Sequence, residues 1–275
     1  MEPIYAVTLG VVQGLTEFLP VSSSGHLVLF QNLFGFTEPE LLFDISLHVG
    51  TLLAICLVFY RELGSLLTTL VRLPRLLTAA GGIRPLFAEN QDVRLAALIV
   101  LGSIPTAFLG LLFHRVADRI FGSVGIVGAM LLITGTLLWL TRRLAGRSRP
   151  LEQVHSGDAL TIGLVQGMAI LPGISRSGST ICAALFLGID RELAGRYSFL
   201  LSIPAIIGAL ALGLDGSWAA SSVSAAMMLL GGATAAVTGY VALRVLLRVV
   251  RQGRLHRFAP YCWAVGLAAL AAAWR

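Results

Sequence analysis

Val12-Gln13-Gly14-Leu15-Thr16-Glu17-Phe18-Leu19-Pro20-Val21-Ser22-Ser23-Ser24-Gly25-His26 returns in outline later in the chain, as Val165-Gln166-Gly167 and then Pro172-Gly173-Ile174-Ser175-Arg176-Ser177-Gly178-Ser179. At a constant offset (Val12 to Val165, Ser22 to Ser175) Val, Gln, Gly, Ser, Ser and Gly coincide, and Pro20 and Pro172 differ by one position. Each copy places a polar, hydroxyl-rich break inside apolar sequence. Proline ends a helix because it lacks the amide proton and clashes with the preceding turn. Such a break is tolerated at membrane depth only where protein or a water-filled cavity surrounds it.

Composition agrees with a membrane setting. The 275 residues are 56% hydrophobic and 12% charged, against about 25% charged for a soluble domain. Apolar runs approaching the ~20 residues of a bilayer-crossing helix recur along the chain. All 20 basic residues are arginine, which excludes any scheme needing a catalytic lysine. The arginines fall mostly in short segments between apolar runs, where they set topology; a nucleic-acid binder would gather them in a polar domain. Cys56, Cys182 and Cys262 are dispersed in apolar runs and form neither a zinc pattern nor a disulfide framework. The N-terminus lacks a basic n-region and reads as mature protein.

These features predict an all-α integral membrane protein of about six transmembrane helices and two re-entrant helical hairpins in an inverted-topology repeat. The first repeat, 1–150, holds a hairpin over 3–35 and spans near 41–60, 95–113 and 122–140. The second, 151–275, holds a hairpin over 159–189 and spans near 197–214, 223–243 and 261–274. Arginine-rich regions 61–94, 142–149 and 244–257 are expected on the cytoplasmic side, and arginine-free 36–40 and 215–222 outside. Segment 114–119, with two arginines, fits this scheme less well. Both termini then lie outside, and the hairpins enter from opposite faces to meet near mid-membrane.

The breaks carry the candidate chemistry. Glu17 lies four residues after Gln13, so both share one helix face, and a carboxylate in a membrane segment is a functional candidate. With an amide oxygen it offers part of a shell for a hard divalent cation, Mg²⁺ or Ca²⁺; the competing role is an ion pair with Arg176. Ser22, Ser23, Ser24 and Gly25 precede an apolar helix, whose free amides and dipole favour an anion. An ordinary cap needs only one of those serines. His26 is the acid–base candidate. Arg176, flanked by Ser175 and Ser177, has the planar fork that suits phosphate oxygens. The set is that of a phosphoryl-transfer site.

Gln13 through His26, and Pro172 through Thr180, resemble the two signatures of the bacterial undecaprenyl-diphosphate phosphatase family of the bacitracin-resistance type. The likeness implies hydrolysis of undecaprenyl diphosphate to the monophosphate, recycling the carrier for cell-wall precursors. It implies a divalent-metal requirement, a multi-pass protein of the bacterial cytoplasmic membrane, and a site open to the outer face. It also implies catalytic roles for Glu17, Ser23, His26 and Arg176; Ser22, Ser24, Gly25, Ser175, Ser177 and Thr180, the hydroxyls and glycine around them in the two breaks, are expected to bind the substrate phosphates. Gln13 stands where the family has Glu or Gln, which leaves one carboxylate fewer for metal. A second class of membrane lipid phosphatase also carries Ser-Gly-His, but pairs it with a lysine this chain lacks. Ser23, His26 and a His26-activated water all remain open as nucleophile. The rival function is a lipid-phosphate flippase or ion-coupled transporter, with Asp44 and His48 as proton carriers; their plainer reading is a hydrogen-bonded pair lining the cleft. Gly231-Gly232 permits close helix contact within the chain or in a homodimer.

Overall fold

Pro3 occupies the first turn of α1 (Pro3–Phe18), where a missing amide proton costs nothing. Pro20 keeps the chain from continuing, and α2 (Ser23–Leu33) starts beyond the serines. The computed structural model describes residues 2–33, 41–114, 123–144, 148–213 and 223–274. The first half continues with α3 (Leu41–Val58), α4 (Tyr60–Ala79), α5 (Ile83–Glu89), α6 (Gln91–His114) and α7 (Val124–Leu140). The second half contains α8 (Ser156–Met168), α9 (Arg176–Phe186), α10 (Arg191–Gly213), α11 (Ala225–Arg251) and α12 (Ala259–Ala273). The expected outer segments 36–40 and 215–222, together with 115–119 and Arg147, lie outside the described residues.

Among the described residues α6, α7, α10 and α11 are long and apolar enough to cross a bilayer, and the α3–α4 pair, bent by 82°, is a fifth candidate. Four or five such helices make a multi-pass membrane protein. α12, with 15 residues, falls short of the usual ~20. The outer surface is what lipid requires. Val100, Ile104, Phe108 and Leu111 form a helical stripe on α6, each more than half exposed, and Leu229, Val237 and Val241 do the same on α11. In water a patch of this kind would drive association.

The two halves interlock. α1 lies along α11, which also lies along α3; in the same way α8 lies along α6, which touches α10. α7 and α12 pair with each other. Small residues allow this proximity. A Cβ on Gly10 would stand 2.7 Å from the carbonyl oxygen of Gly231, and one on Gly163 would stand 1.9 Å from that of Gly102. Gly10 and Gly163 are counterparts at the offset of the repeat, as are Ala6 and Ala159. Thr106 Oγ1 closes the second crossing with a 2.8 Å bond to the Gly163 carbonyl. The Gly231-Gly232 pair is thus used inside the chain, Gly231 against α1 and Gly232 against Gly50 of α3. Beneath the first break, Phe199 of α10 packs between Phe18 and Phe59, with ring centroids 5.8 and 6.4 Å away.

Candidate active site

The breaks fold against each other. At the first, Ser22 takes φ +71°, the only positive φ among described non-glycine residues. That conformation costs a side-chain-bearing residue energy, and the local bonds offset it. Ser22 Oγ accepts from the Gly173 amide of the other break at 3.1 Å and from the Gly25 amide at 3.4 Å. At the second break Gly173 has φ +98°, and a Cβ there would stand 2.4 Å from the Val127 carbonyl oxygen. Glycine is required on both counts. Thr134 Oγ1 on α7 clamps this turn, donating to the Gly173 carbonyl at 2.9 Å and accepting from the Ser175 amide at 3.1 Å.

Four of the expected residues meet in one network. Glu17, at the end of α1, is buried. Its Oε1 accepts from Arg176 Nη2 at 2.5 Å. Its Oε2 accepts from Ser23 Oγ at 2.6 Å and from Gln13 Nε2 at 3.1 Å. Gln13, Glu17 and Ser23 therefore come from the first half and Arg176 from the second. Paired charges are the normal condition for buried ionic groups. Arg176 still has donors to spare beyond the one holding Glu17.

His26 bonds partners outside this network. Its Nδ1 lies 2.8 Å from the Ser22 carbonyl oxygen and its Nε2 lies 2.7 Å from Tyr261 Oη. Sequence reading did not single out Tyr261. It sits in the last helix, 235 residues from His26, and nothing local marks it.

The remaining hydroxyls bond within the protein. Ser24 Oγ lies 3.4 Å from Ser22 Oγ. Ser175 Oγ caps α9 by accepting from the Gly178 amide at 3.1 Å, and Ser177 Oγ donates to the Phe18 carbonyl at 2.9 Å. Thr180 Oγ1 bonds the Arg176 carbonyl at 2.8 Å and pairs with Ser198 Oγ. Gly25 packs so that a Cβ would meet Val127 and Gly173. On α3, His48 Nδ1 lies 2.8 Å from the Asp44 carbonyl oxygen, one turn back.

Residues 6–268 match the family model of the bacitracin resistance protein BacA. The chain belongs to the BacA family. The match takes in both breaks and every residue of the network. Among its relatives, the undecaprenyl-diphosphatase of Desulfatibacillum aliphaticivorans is 55% identical over 276 residues, covering 99% of each chain. That of Desulfosudis oleivorans is 54% identical over 267 residues, 97% of each. A more distant relative of the same name, from Methanobrevibacter smithii, is 38% identical over 272 residues, 97% of this chain and 96% of that protein. The alignments of this BacA-family chain with these relatives span at least 96% of every chain compared.

Proposed function

We propose that the chain hydrolyses undecaprenyl diphosphate to undecaprenyl phosphate and inorganic phosphate at the junction of its two breaks. Full-length likeness to proteins named undecaprenyl-diphosphatase supports the substrate and reaction. One observation carries the mechanism: Ser23 Oγ donates to a Glu17 carboxylate that Arg176 holds from the other half.

Ser23 attacks the terminal phosphorus, and its proton passes to Glu17 Oε2, already within hydrogen-bond reach. The bond from phosphorus to the bridging oxygen breaks, and undecaprenyl phosphate leaves. Water then attacks the phosphoserine, giving its proton to His26; the bond from phosphorus to the seryl oxygen breaks, Glu17 returns its proton to Ser23 Oγ, and inorganic phosphate is released. The unused donors of Arg176, with Ser24 and the amides at the start of α2, stabilise charge on the transferring group. Ser22, Ser175, Ser177 and Thr180 build the cradle: Ser22 and Ser177 bond across the two breaks, Ser175 caps α9, and Thr180 ties α9 to Ser198 of α10. The long prenyl tail lies among apolar helices.

A divalent cation fits the donor set. Gln13 Oε1 is buried without a hydrogen-bond partner and lies one turn from Glu17, and buried unpaired oxygens call for a partner. Gln13 and Glu17 would hold the ion, and it would supply charge neutralisation for the substrate. No group of three or more His, Cys, Asp or Glu side chains poised for a metal occurs among the described residues, so the site is lean in protein ligands.

The membrane arrangement is part of this reading. Residues 1–150 and 151–275 form inverted repeats, with α1–α2 and α8–α9 as re-entrant hairpins. The mirrored packing of α1 on α11 and of α8 on α6 supports it. Six spans, with α12 the short last one, put the site toward the outer face of the cytoplasmic membrane. A sample purified in detergent tests the function. It should release phosphate without any sealed compartment, which a transporter does not do. Ser23→Ala, His26→Ala and Arg176→Ala should each lose roughly 10²-fold or more; near-normal release by all three contradicts the assignment.

A further inference from the structure

We infer that Tyr261 is the positioning residue of His26, presenting its Nε2 for the water-activating second step. The inference rests on the reading of His26 as the base of that step. The Ser22 carbonyl can only accept, so the His26 Nδ1 beside it at 2.8 Å carries the proton. In the neutral ring Nε2 is then the acceptor, and the Tyr261 hydroxyl at 2.7 Å is its donor. The two ring planes are within 9° of parallel, with centroids 5.7 Å apart, a stacked pair. Both contacts select the same tautomer. Nitrogen roles in a histidine are fixed in this way by the partner on each side.

Tyr261 is itself held in place. The next residue, Cys262, is fully buried, and its Sγ bonds the Pro20 carbonyl at 3.4 Å. Ala259, two residues earlier, is also fully buried. The start of α12 is thereby pinned to the first break, while the Tyr261 side chain is 47% exposed. A half-open phenol on a fixed backbone can yield to an incoming water and return.

The test uses the full chain in detergent, with undecaprenyl diphosphate as substrate and phosphoenzyme measured by acid quench. Tyr261→Phe keeps the ring and removes only the hydroxyl. The expected result is a fall in kcat of about ten-fold with a parallel fall in KM, leaving kcat/KM unchanged, because only the step after phosphoserine formation slows. Phosphoenzyme should accumulate, which a merely structural contact would not cause. Tyr261→Leu, lacking ring and hydroxyl, should accumulate at least as much. His26→Ala run in parallel separates the layers. If His26→Ala accumulates phosphoenzyme and Tyr261→Phe does not, the role of Tyr261 is overturned while that of His26 stands. If neither accumulates it, the reading of His26 falls and the present inference with it.

Discussion

Arg176 reaches across 159 residues of sequence to place Nη2 2.5 Å from Glu17 Oε1, so one ion pair closes the contact between the two halves. The carboxylate it holds is the one that receives the Ser23 hydroxyl. Fold and chemistry therefore share this pair, and its variants should affect both. Removing one member of a buried pair strands the other charge, at a cost of about 3–5 kcal/mol. Arg176→Ala should lower the melting temperature in detergent and abolish phosphate release. Glu17→Gln combined with Arg176→Met should recover part of the melting temperature but no activity.

Ser22 is another point where the halves touch. Ser22→Ala removes the acceptor for the Gly173 and Gly25 amides while the positive φ persists. A lost acceptor for a buried amide costs about 1–3 kcal/mol. Ser22→Gly removes the same acceptor but relieves the backbone. Thermal unfolding should therefore rank wild type above Ser22→Gly, and Ser22→Gly above Ser22→Ala.

The helix crossings predict a sharp contrast between glycines. A Cβ at position 163 would stand 1.9 Å from the Gly102 carbonyl oxygen, whereas one at Gly157, on the same helix, meets nothing within 4 Å. Gly163→Ala should sharply reduce the yield of folded protein from membranes. Gly157→Ala should leave yield and melting temperature within the small range of surface substitutions, about 0.5 kcal/mol.

Asp190 supplies a pH test outside the spans. Its Oδ1 accepts from the Glu192 and Leu193 amides at 2.9 and 3.2 Å, and its Oδ2 from Ser148 Oγ at 2.8 Å. Burial pushes its pKa up, but the Ser148 hydroxyl and the amides of Leu193, Glu192 and Arg191 outweigh it, so the carboxyl lies below its ordinary value. A folded pKa below the unfolded one gives stability that is present in full above the unfolded value of about 3.9 and lost as pH falls through the folded value. Melting temperature should drop over that acidic window, and Asp190→Asn should lower it at neutral pH while flattening the drop.

Much of this arrangement was legible in sequence because breaks and repeats announce themselves. Pro20, Pro172 and the serines marked where helices stop, and α1 and α2 fall within the hairpin expected over 3–35. The expected 95–113 lies inside α6 and 122–140 overlaps α7, whereas α10 starts at Arg191, six residues ahead of the expected 197. α11 continues to Arg251, eight residues beyond the expected span, because arginines at a helix C-terminus do not end it and favour its dipole. The arginine-rich stretch 61–94 forms most of α4, all of α5 and the start of α6, and the 82° bend that precedes it, between α3 and α4, is not encoded in hydropathy. The Glu17–Arg176 pairing was foreseeable because a buried charge needs a partner. The partner of His26 was not, since Tyr261 owes its role to where α12 docks. The hydroxyls of Ser175, Ser177 and Thr180 read as phosphate ligands by composition, yet hydroxyls near chain breaks serve backbone groups equally well.

The most direct measurement is the site of phosphorylation in enzyme quenched during turnover of a terminally radiolabelled diphosphate and mapped by mass spectrometry. The mechanism predicts an acid-stable phosphoserine at Ser23, absent in Ser23→Ala and enriched in His26→Ala. An acid-labile adduct on His26, or turnover by His26→Ala with no covalent intermediate at any time, would contradict it.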